Sequence, residues 1–240
     1  MTDERANPAQ PADSAKAGSP SEPLYLRPYR EAVDTLGVGF DALLWKSPQA
    51  QTTRFEVARR MARLRGRVVA DLGCGTGDFL RHLRAKDHAP SMYVGVEGIA
   101  ELAGAAERAL EGASPARVLT ADFVGDADLP GRLVAEFGVS VFALSGSLNT
   151  LEQGDAIGVL GRLWRAIEPV AGGLVVFNFL SSHNLAGRTT AEPPATRFDT
   201  PAMVAWALSQ TPLVRFRNDY LAGHDATITM RRPARSARPA

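Results

Sequence analysis

Three acids and three glycines are placed where they could hold a ligand. Asp71, Glu97 and Asp122 each close a short apolar run, and Gly73, Gly75 and Gly77 crowd behind the first of them in "VVADLGCGTGDFL". Glycine loses the most backbone freedom on folding, so a cluster needs a local reason: a tight turn and close approach of the backbone to a ligand. The spacing G-x-G-x-G is not the dinucleotide fingerprint G-x-G-x-x-G, because Gly77 comes one residue early and Asp78 follows it. An acid at a helix start repels a pyrophosphate but tolerates a ligand with a cationic centre. Glu97 lies twenty residues past Gly77, the separation at which a carboxylate accepts from a ribose diol. Asp122 is placed to reach an adenine amine. A solvated loop acid at Glu97 and a simple turn former at Asp122 are the alternatives. The ligand these residues ask for has an adenine, a ribose diol, a positive charge and no phosphate.

S-adenosylmethionine meets all four conditions. The segments "VVADLGCGTGDFL", "YVGVE" and "LTADF", in this order and spacing, resemble the first motif, the ribose-binding strand and the adenine-contacting segment of the class I S-adenosylmethionine-dependent methyltransferases. The resemblance spans about residues 67–231. It implies an α/β, doubly wound, Rossmann-like seven-stranded sheet of order 3-2-1-4-5-7-6, strand 7 antiparallel, under an N-terminal helical lid. It also implies methyl transfer by in-line displacement to a small-molecule acceptor, with S-adenosyl-L-methionine as cofactor. The donor site would comprise Asp71, Gly73, Cys74, Gly75, Gly77, Glu97, Gly98, Asp122, Phe123 and Ser145. More narrowly, "QTTRFEVARRM", "SGSLNT" and "FNFLSS" are similar to a bacterial subgroup whose substrates are largely unassigned. That subgroup has "HDY" near its last strands, where this chain has "RNDY" with Asn218. Other departures are Val139-Ser140 in place of an acid before the fourth strand and Glu97 in place of Asp. No "NPPY" or "DPPY" follows that strand, which argues against adenine or glutamine-amide methylation of that type.

Displacement at a sulfonium needs positioning, exclusion of water and sometimes removal of a proton. No covalent nucleophile is required. His183, on the polar loop "SSHNLAG" after the fifth strand, is the candidate general base, since an unperturbed imidazole titrates near neutrality. His82 and His88 are expected at the surface and His224 in the terminal hairpin turn. Tyr29, Arg54 and Asn149 are acceptor-binding candidates, and Tyr25, Trp45 and Gln51 are further lid or pocket residues. Packed helix faces are the alternative for the lid residues. Ser145, Gly146, Ser147 and Asn149 would lie between donor and acceptor or form an ordinary strand-to-helix loop. Residues 181–198 are expected to help choose the acceptor. The histidines and Cys74 lack metal-ligand spacing, so no metal is expected.

The elements that must carry these residues follow from periodicity. Short apolar runs alternate with amphipathic stretches from Arg67 onward, the pattern of a parallel sheet covered on both faces. Ligands bind such sheets beyond the carboxyl ends of the strands. The last two runs, "LVRFRNDYL" and "DATITMRR", have no helix between them and must pair as a hairpin. Asp199-Thr200-Pro201 supplies an N-cap and a first-position proline for a preceding helix. Two or three helices are expected over Leu24–Leu64. The organisation is a disordered tail (1–22), N-terminal helices (23–66), the main domain (67–232) and a flexible tail (233–240). The 240 residues are 45% hydrophobic and 22% charged, with net charge +1 and one cysteine. That suits one domain without disulfides and is too balanced to indicate nucleic acid. No apolar run approaches the ~20 residues a membrane span needs, and no signal-peptide core opens the chain, so no membrane partner and a cytoplasmic location are expected. Composition leaves the oligomeric state open. Two other classes stay in view: a dinucleotide oxidoreductase, which should carry G-x-G-x-x-G, and a donor-fold binding module without turnover.

Overall fold

The central strands are apolar on both faces, and the two sets of side chains go to two different cores. The computed structural model describes residues 22–112 and 115–234; the two expected tails lie almost wholly outside these. The strands are β1 (Val68–Leu72), β2 (Met92–Glu97), β3 (Ala116–Thr120), β4 (Val141–Leu144), β5 (Leu174–Ser181), β6 (Arg197–Phe198), β7 (Val214–Arg217) and β8 (Asp225–Arg231). On one face Val69, Val141, Ala143, Leu174 and Val176 pack under Phe55, Ala58, Phe79 and Leu83. On the other, Ala70, Leu72, Phe142, Val175 and Phe177 meet Leu133, Leu160, Trp164 and Met203. The alternation is the period of two that a strand imposes.

The helices supplying those faces are α1 (Arg27–Leu36), α2 (Pro48–Met61), α3 (Asp78–Ala85), α4 (Ala100–Ala109), α5 (Leu129–Phe137), α6 (Gln153–Ala166) and α7 (Thr200–Gln210). The N-terminal region thus holds two α-helices and, between them, a 3-10 turn at Asp41–Leu43. Ser47 caps α2 by accepting a hydrogen bond from the Ala50 amide at 3.1 Å, with Pro48 behind it. Asp199 caps α7 in the same way, accepting from the Ala202 amide at 3.0 Å. The helix opens at Thr200, so Pro201 is its second residue rather than its first.

The sheet runs β3-β2-β1-β4-β5-β8-β7. Strands β1 to β5 pair in parallel, and β8 is antiparallel to both β5 and β7. This is the expected seven-stranded order. The short β6 is added beside the end of β5, where Leu180 and Ser181 face Arg197 and Phe198. β7 ends at Arg217 rather than running on to Leu221, and Arg217 pairs with Asp219 just beyond it at 2.7 Å. A 3-10 turn, Leu221–Gly223, then leads into β8. Among the described residues no helix is long and apolar enough to cross a membrane.

Candidate functional site

The carboxyl ends of β1, β2, β4 and β5 open into a cavity of about 520 Å³. It is roofed by residues of α1, the 3-10 turn after it and the 188–197 segment. Its acidic end is built on the glycine loop. Gly73, Gly75 and Gly77 all have left-handed φ, at +76°, +55° and +79°. A Cβ on Gly73 would sit 2.4 Å from the Ser147 Cβ, and one on Gly75 2.9 Å from Leu43. The loop is therefore pressed against the β4 turn and the lid. Glu97, at the tip of β2, holds it in place. One carboxylate oxygen accepts from the Gly75 amide at 2.9 Å and the other from the Ile99 amide at 3.0 Å. Burial pushes the Glu97 carboxyl up, and the backbone amides offset only part of that. Gly98 beside it lies under Leu26, which a Cβ would approach to 3.2 Å.

Asp71 is 2% exposed. It accepts a 2.5 Å hydrogen bond from the Tyr93 hydroxyl. Burial pushes its carboxyl up to about 7, with the Tyr93 bond pulling down and Glu97 pushing further up. Asp122 accepts from the Tyr25 hydroxyl at 2.5 Å and the Val124 amide at 2.9 Å. Phe123 beside it is buried and also lines the cavity. Cys74 is buried, and burial pushes its thiol far up, away from reactivity. It packs on Gly95, where a Cβ would come within 2.8 Å of its sulfur. Sequence reasoning passed over Gly95; a glycine inside an apolar strand was the available signal.

The middle of the cavity is the β4 turn. Ser145, Gly146, Ser147 and Asn149 all line it. The Ser145 and Ser147 hydroxyls and the Asn149 side-chain oxygen are buried without a hydrogen-bond partner among the described residues. Buried polar atoms usually have a partner, and these three are placed to bond a polar ligand or water in the cavity. Gly146 donates its amide to Asn178 Oδ1 at 2.8 Å and, at φ +79°, lies under the Trp45 indole.

The far end is organised by a buried ion pair. Arg54, on α2, makes a bidentate contact with Asp225, at the start of β8, at 2.6 and 2.9 Å. Both side chains are almost fully buried, and Arg54 stacks 4.7 Å from the Trp45 ring centre. Asn178 Nδ2 and His224 Nδ1 complete the set around Asp225, at 3.2 and 3.0 Å. Burial would raise the Asp225 carboxyl, but His224 and the Arg54 guanidinium outweigh it and hold it below the ordinary range.

The structure thus gathers the three acids, Gly73, Gly75, Gly98, Phe123, Ser145, Tyr25, Tyr29, Trp45, Gln51, Arg54 and Asn149 around one cavity, whereas Cys74, packed on Gly95, and Gly77, facing Leu110, lie outside its lining. Burial, with Glu97 nearby, pushes the Tyr29 hydroxyl up to about 12. Other placements differ from expectation as well. Arg54 lines the wall with its guanidinium committed to Asp225, so it braces the site. His183 is exposed on a separate depression with Asn218 and Asp219, outside the cavity. The histidine that lines the cavity is His224. His82, expected at the surface, has a side chain only 10% exposed, against Glu56 and Phe55; His88 meets Arg59. Asp78 lies outside the cavity lining, bonded to Thr76 and Gln51 and paired with Arg81. His224, Asp225 and Asn178 were the residues missed. His224 and Asp225 are neighbours in sequence, and Asn178, inside "FNFLSS", reaches Asp225 only through the pairing of β5 with β8.

No family model and no curated protein matches this sequence. Solved structures do share the architecture. An O-methyltransferase family protein from Burkholderia thailandensis aligns with a TM-score of 0.63 at 18% identity, over 86% of this chain and 63% of its own. The DhpI–SAH complex aligns at 0.59 and 18% identity, over 90% of this chain and 100% of its own. Phosphoethanolamine N-methyltransferase 1 of Haemonchus contortus, in complex with phosphoethanolamine and S-adenosylhomocysteine, aligns at 0.62 and 13% identity, over 90% of this chain and 50% of its own. At these identities the likeness is one of fold. The chain has the class I S-adenosylmethionine-dependent methyltransferase fold.

Proposed function

We propose that this protein transfers a methyl group from S-adenosylmethionine to a small-molecule acceptor. One observation carries the reading: three carboxylates on three adjacent strand ends face one cavity, beside positive-φ glycines and three buried polar atoms with no partner among the described residues. A cavity of about 520 Å³ is in the range of small-molecule sites. The relatives in fold include enzymes solved with S-adenosylhomocysteine and, in one case, a small acceptor, which supports the same reading.

S-adenosylmethionine, when bound, supplies an electrophilic methyl on a sulfonium with a neutral thioether as leaving group. The chain's part is to hold and to exclude. Glu97 accepts from the Gly75 and Ile99 amides and offers its remaining acceptor capacity to the ribose hydroxyls. Asp122 can take an adenine amine in the same manner while Tyr25 holds it. Gly73 and Gly75 let the backbone pass close to the ligand, and Asp71 sets a polar floor at its methionine end. Tyr29, Trp45 and the 188–197 segment cover the cavity, shielding the displacement from water.

Calorimetric titration tests this. S-adenosylhomocysteine should bind the full chain with micromolar affinity and NAD should not. Glu97→Ala should weaken S-adenosylhomocysteine about 10- to 100-fold, the worth of hydrogen bonds to a charged group. Absence of S-adenosylhomocysteine binding to the wild type would overturn the proposal.

A further inference from the structure

We infer that the far end of the cavity is an oxyanion site, where Arg188, Arg197 and Lys46 take the carboxylate or phosphate group of a small organic acid that serves as acceptor. The inference rests on the methyltransferase reading and adds the class of acceptor to it. The charges that line the cavity are divided between its ends. Asp71, Glu97 and Asp122 stand at or just past the ends of β1, β2 and β3. Beyond β4, toward β5 and β8, the lining carries Arg54, Arg188, Arg197 and, next to Trp45, Lys46. Asp225 neutralises Arg54. None of the other three cations makes an ion pair among the described residues, although Glu192 shares the lining.

Arg197 is held rigidly. Its Nε donates to the Thr190 carbonyl at 3.0 Å, and Nη1 donates to the Ser181 and His224 carbonyls at 2.6 and 3.2 Å. All three acceptors are neutral, so they orient the guanidinium and leave its charge uncompensated. The two hydrogens on Nη2 have no partner among the described residues. Arg188 is held at its backbone instead. Its amide donates to Asn184 Oδ1 at 3.0 Å, and its carbonyl accepts from Asn184 Nδ2 at 2.6 Å. Its guanidinium lines the cavity with no partner among the described residues. Burial holds Arg197 below the ordinary guanidinium range; Asp225 opposes this, and Arg188, a like charge within range, adds to it. The Thr196 amide donates to the Asn149 carbonyl at 2.7 Å. That bond ties the segment bearing both arginines to the β4 turn, where the Ser145 and Ser147 hydroxyls are unclaimed.

Acceptor class follows from this charge pattern. Like charges that face one cavity repel until a counter-charge joins them. A guanidinium fork matches the paired oxygens of a carboxylate or phosphate, and an ammonium supplies a point charge beside it. A neutral acceptor leaves the repulsion standing, and a cationic one adds to it. The three acids at the donor end turn an anion away from there, so an acidic acceptor enters with its charged group toward Arg188 and Arg197.

The test uses the full chain saturated with S-adenosylhomocysteine and a ligand-observed NMR titration. The probes are benzoate, phenyl phosphate, benzamide and benzylamine, which share a ring and differ in charge. At least one anion should bind about tenfold or more tightly than benzamide, with benzylamine weakest; the tighter anion tells a carboxylate site from a phosphate site. Added salt should weaken the anion and leave benzamide alone. Arg188 is exposed, so Arg188→Gln should fold. It should weaken the anion about 3- to 10-fold while benzamide and S-adenosylhomocysteine bind as before, and Arg188→Lys should recover most of the loss. Benzamide binding as tightly as both anions, no binding of either anion, or an Arg188→Gln variant that binds the anion as wild type does each overturn the inference. Failure of the wild type to bind S-adenosylhomocysteine is the separate failure of the methyltransferase reading, and the same titrations on the chain alone still decide the oxyanion site.

Discussion

Asp71 is an acid with no room for a charge. It sits at the centre of the sheet's ligand edge, facing the Tyr93 hydroxyl, with its carboxyl raised to about 7. A raised carboxyl keeps its proton in the folded state over a range where the unfolded chain has already lost it. Its contribution is therefore present below about pH 4 and is lost as pH rises through about 7. The difference from an ordinary aspartate sets a ceiling of about 4 kcal/mol on this loss. Asp71→Asn, which still accepts from Tyr93, should flatten the decline in unfolding free energy between pH 4 and 7. Glu97, raised in the same direction, keeps part of the slope. Urea unfolding across that window checks it, and curves parallel to wild type would count against the assignment. The acids themselves were readable from sequence because each ends a strand. His224 was not. It sits in a helical backbone conformation, φ −58° and ψ −33°, one residue ahead of β8. That kink turns the ring back onto its own neighbour, where a regular strand would send successive side chains to opposite faces.

Among elements, the contact between the lid and the β4 turn is set by one glycine. Gly146 lies at φ +79°, and a Cβ there would come within 2.6 Å of the Trp45 ring. Gly112 has a similar φ of +71° with nothing within 4 Å. Gly112→Ala should therefore cost backbone strain alone, about 1 kcal/mol. Gly146→Ala adds overpacking of about 1–3 kcal/mol, and its melting temperature should fall several degrees further. Equal shifts would mean that Trp45 yields freely and the lid is not seated there. The alternation of strands and helices was legible because each central strand is buried on both faces and most of the helices show one apolar stripe, α7 being apolar over most of its length instead. β6 was not, since two residues are too short for any period to show. The end of β7 was misplaced because Tyr220 and Leu221 resume an apolar run after Arg217, although pairing with β8 stops there.

Across the whole molecule, the Arg54–Asp225 pair joins a helix that precedes the first strand to the last strand of the sheet, 171 residues apart. Arg54→Ala should destabilise the fold by about 3–5 kcal/mol, because it strands a buried carboxylate. Equilibrium urea unfolding reads this directly, and a loss under 1 kcal/mol would show that water reaches Asp225. The tie also sets an order of events during synthesis. β8 is made last among the strands yet lies between β5 and β7. Until it emerges, β5 presents an open edge and Arg54 has no counter-charge. A ribosome halted before Asp225 would release a chain with most of its acids in place, no finished cavity and a sheet edge open to mispairing. Closing that edge is the last act of building the sheet, and it makes the cavity and the Arg54 counter-charge in the same step.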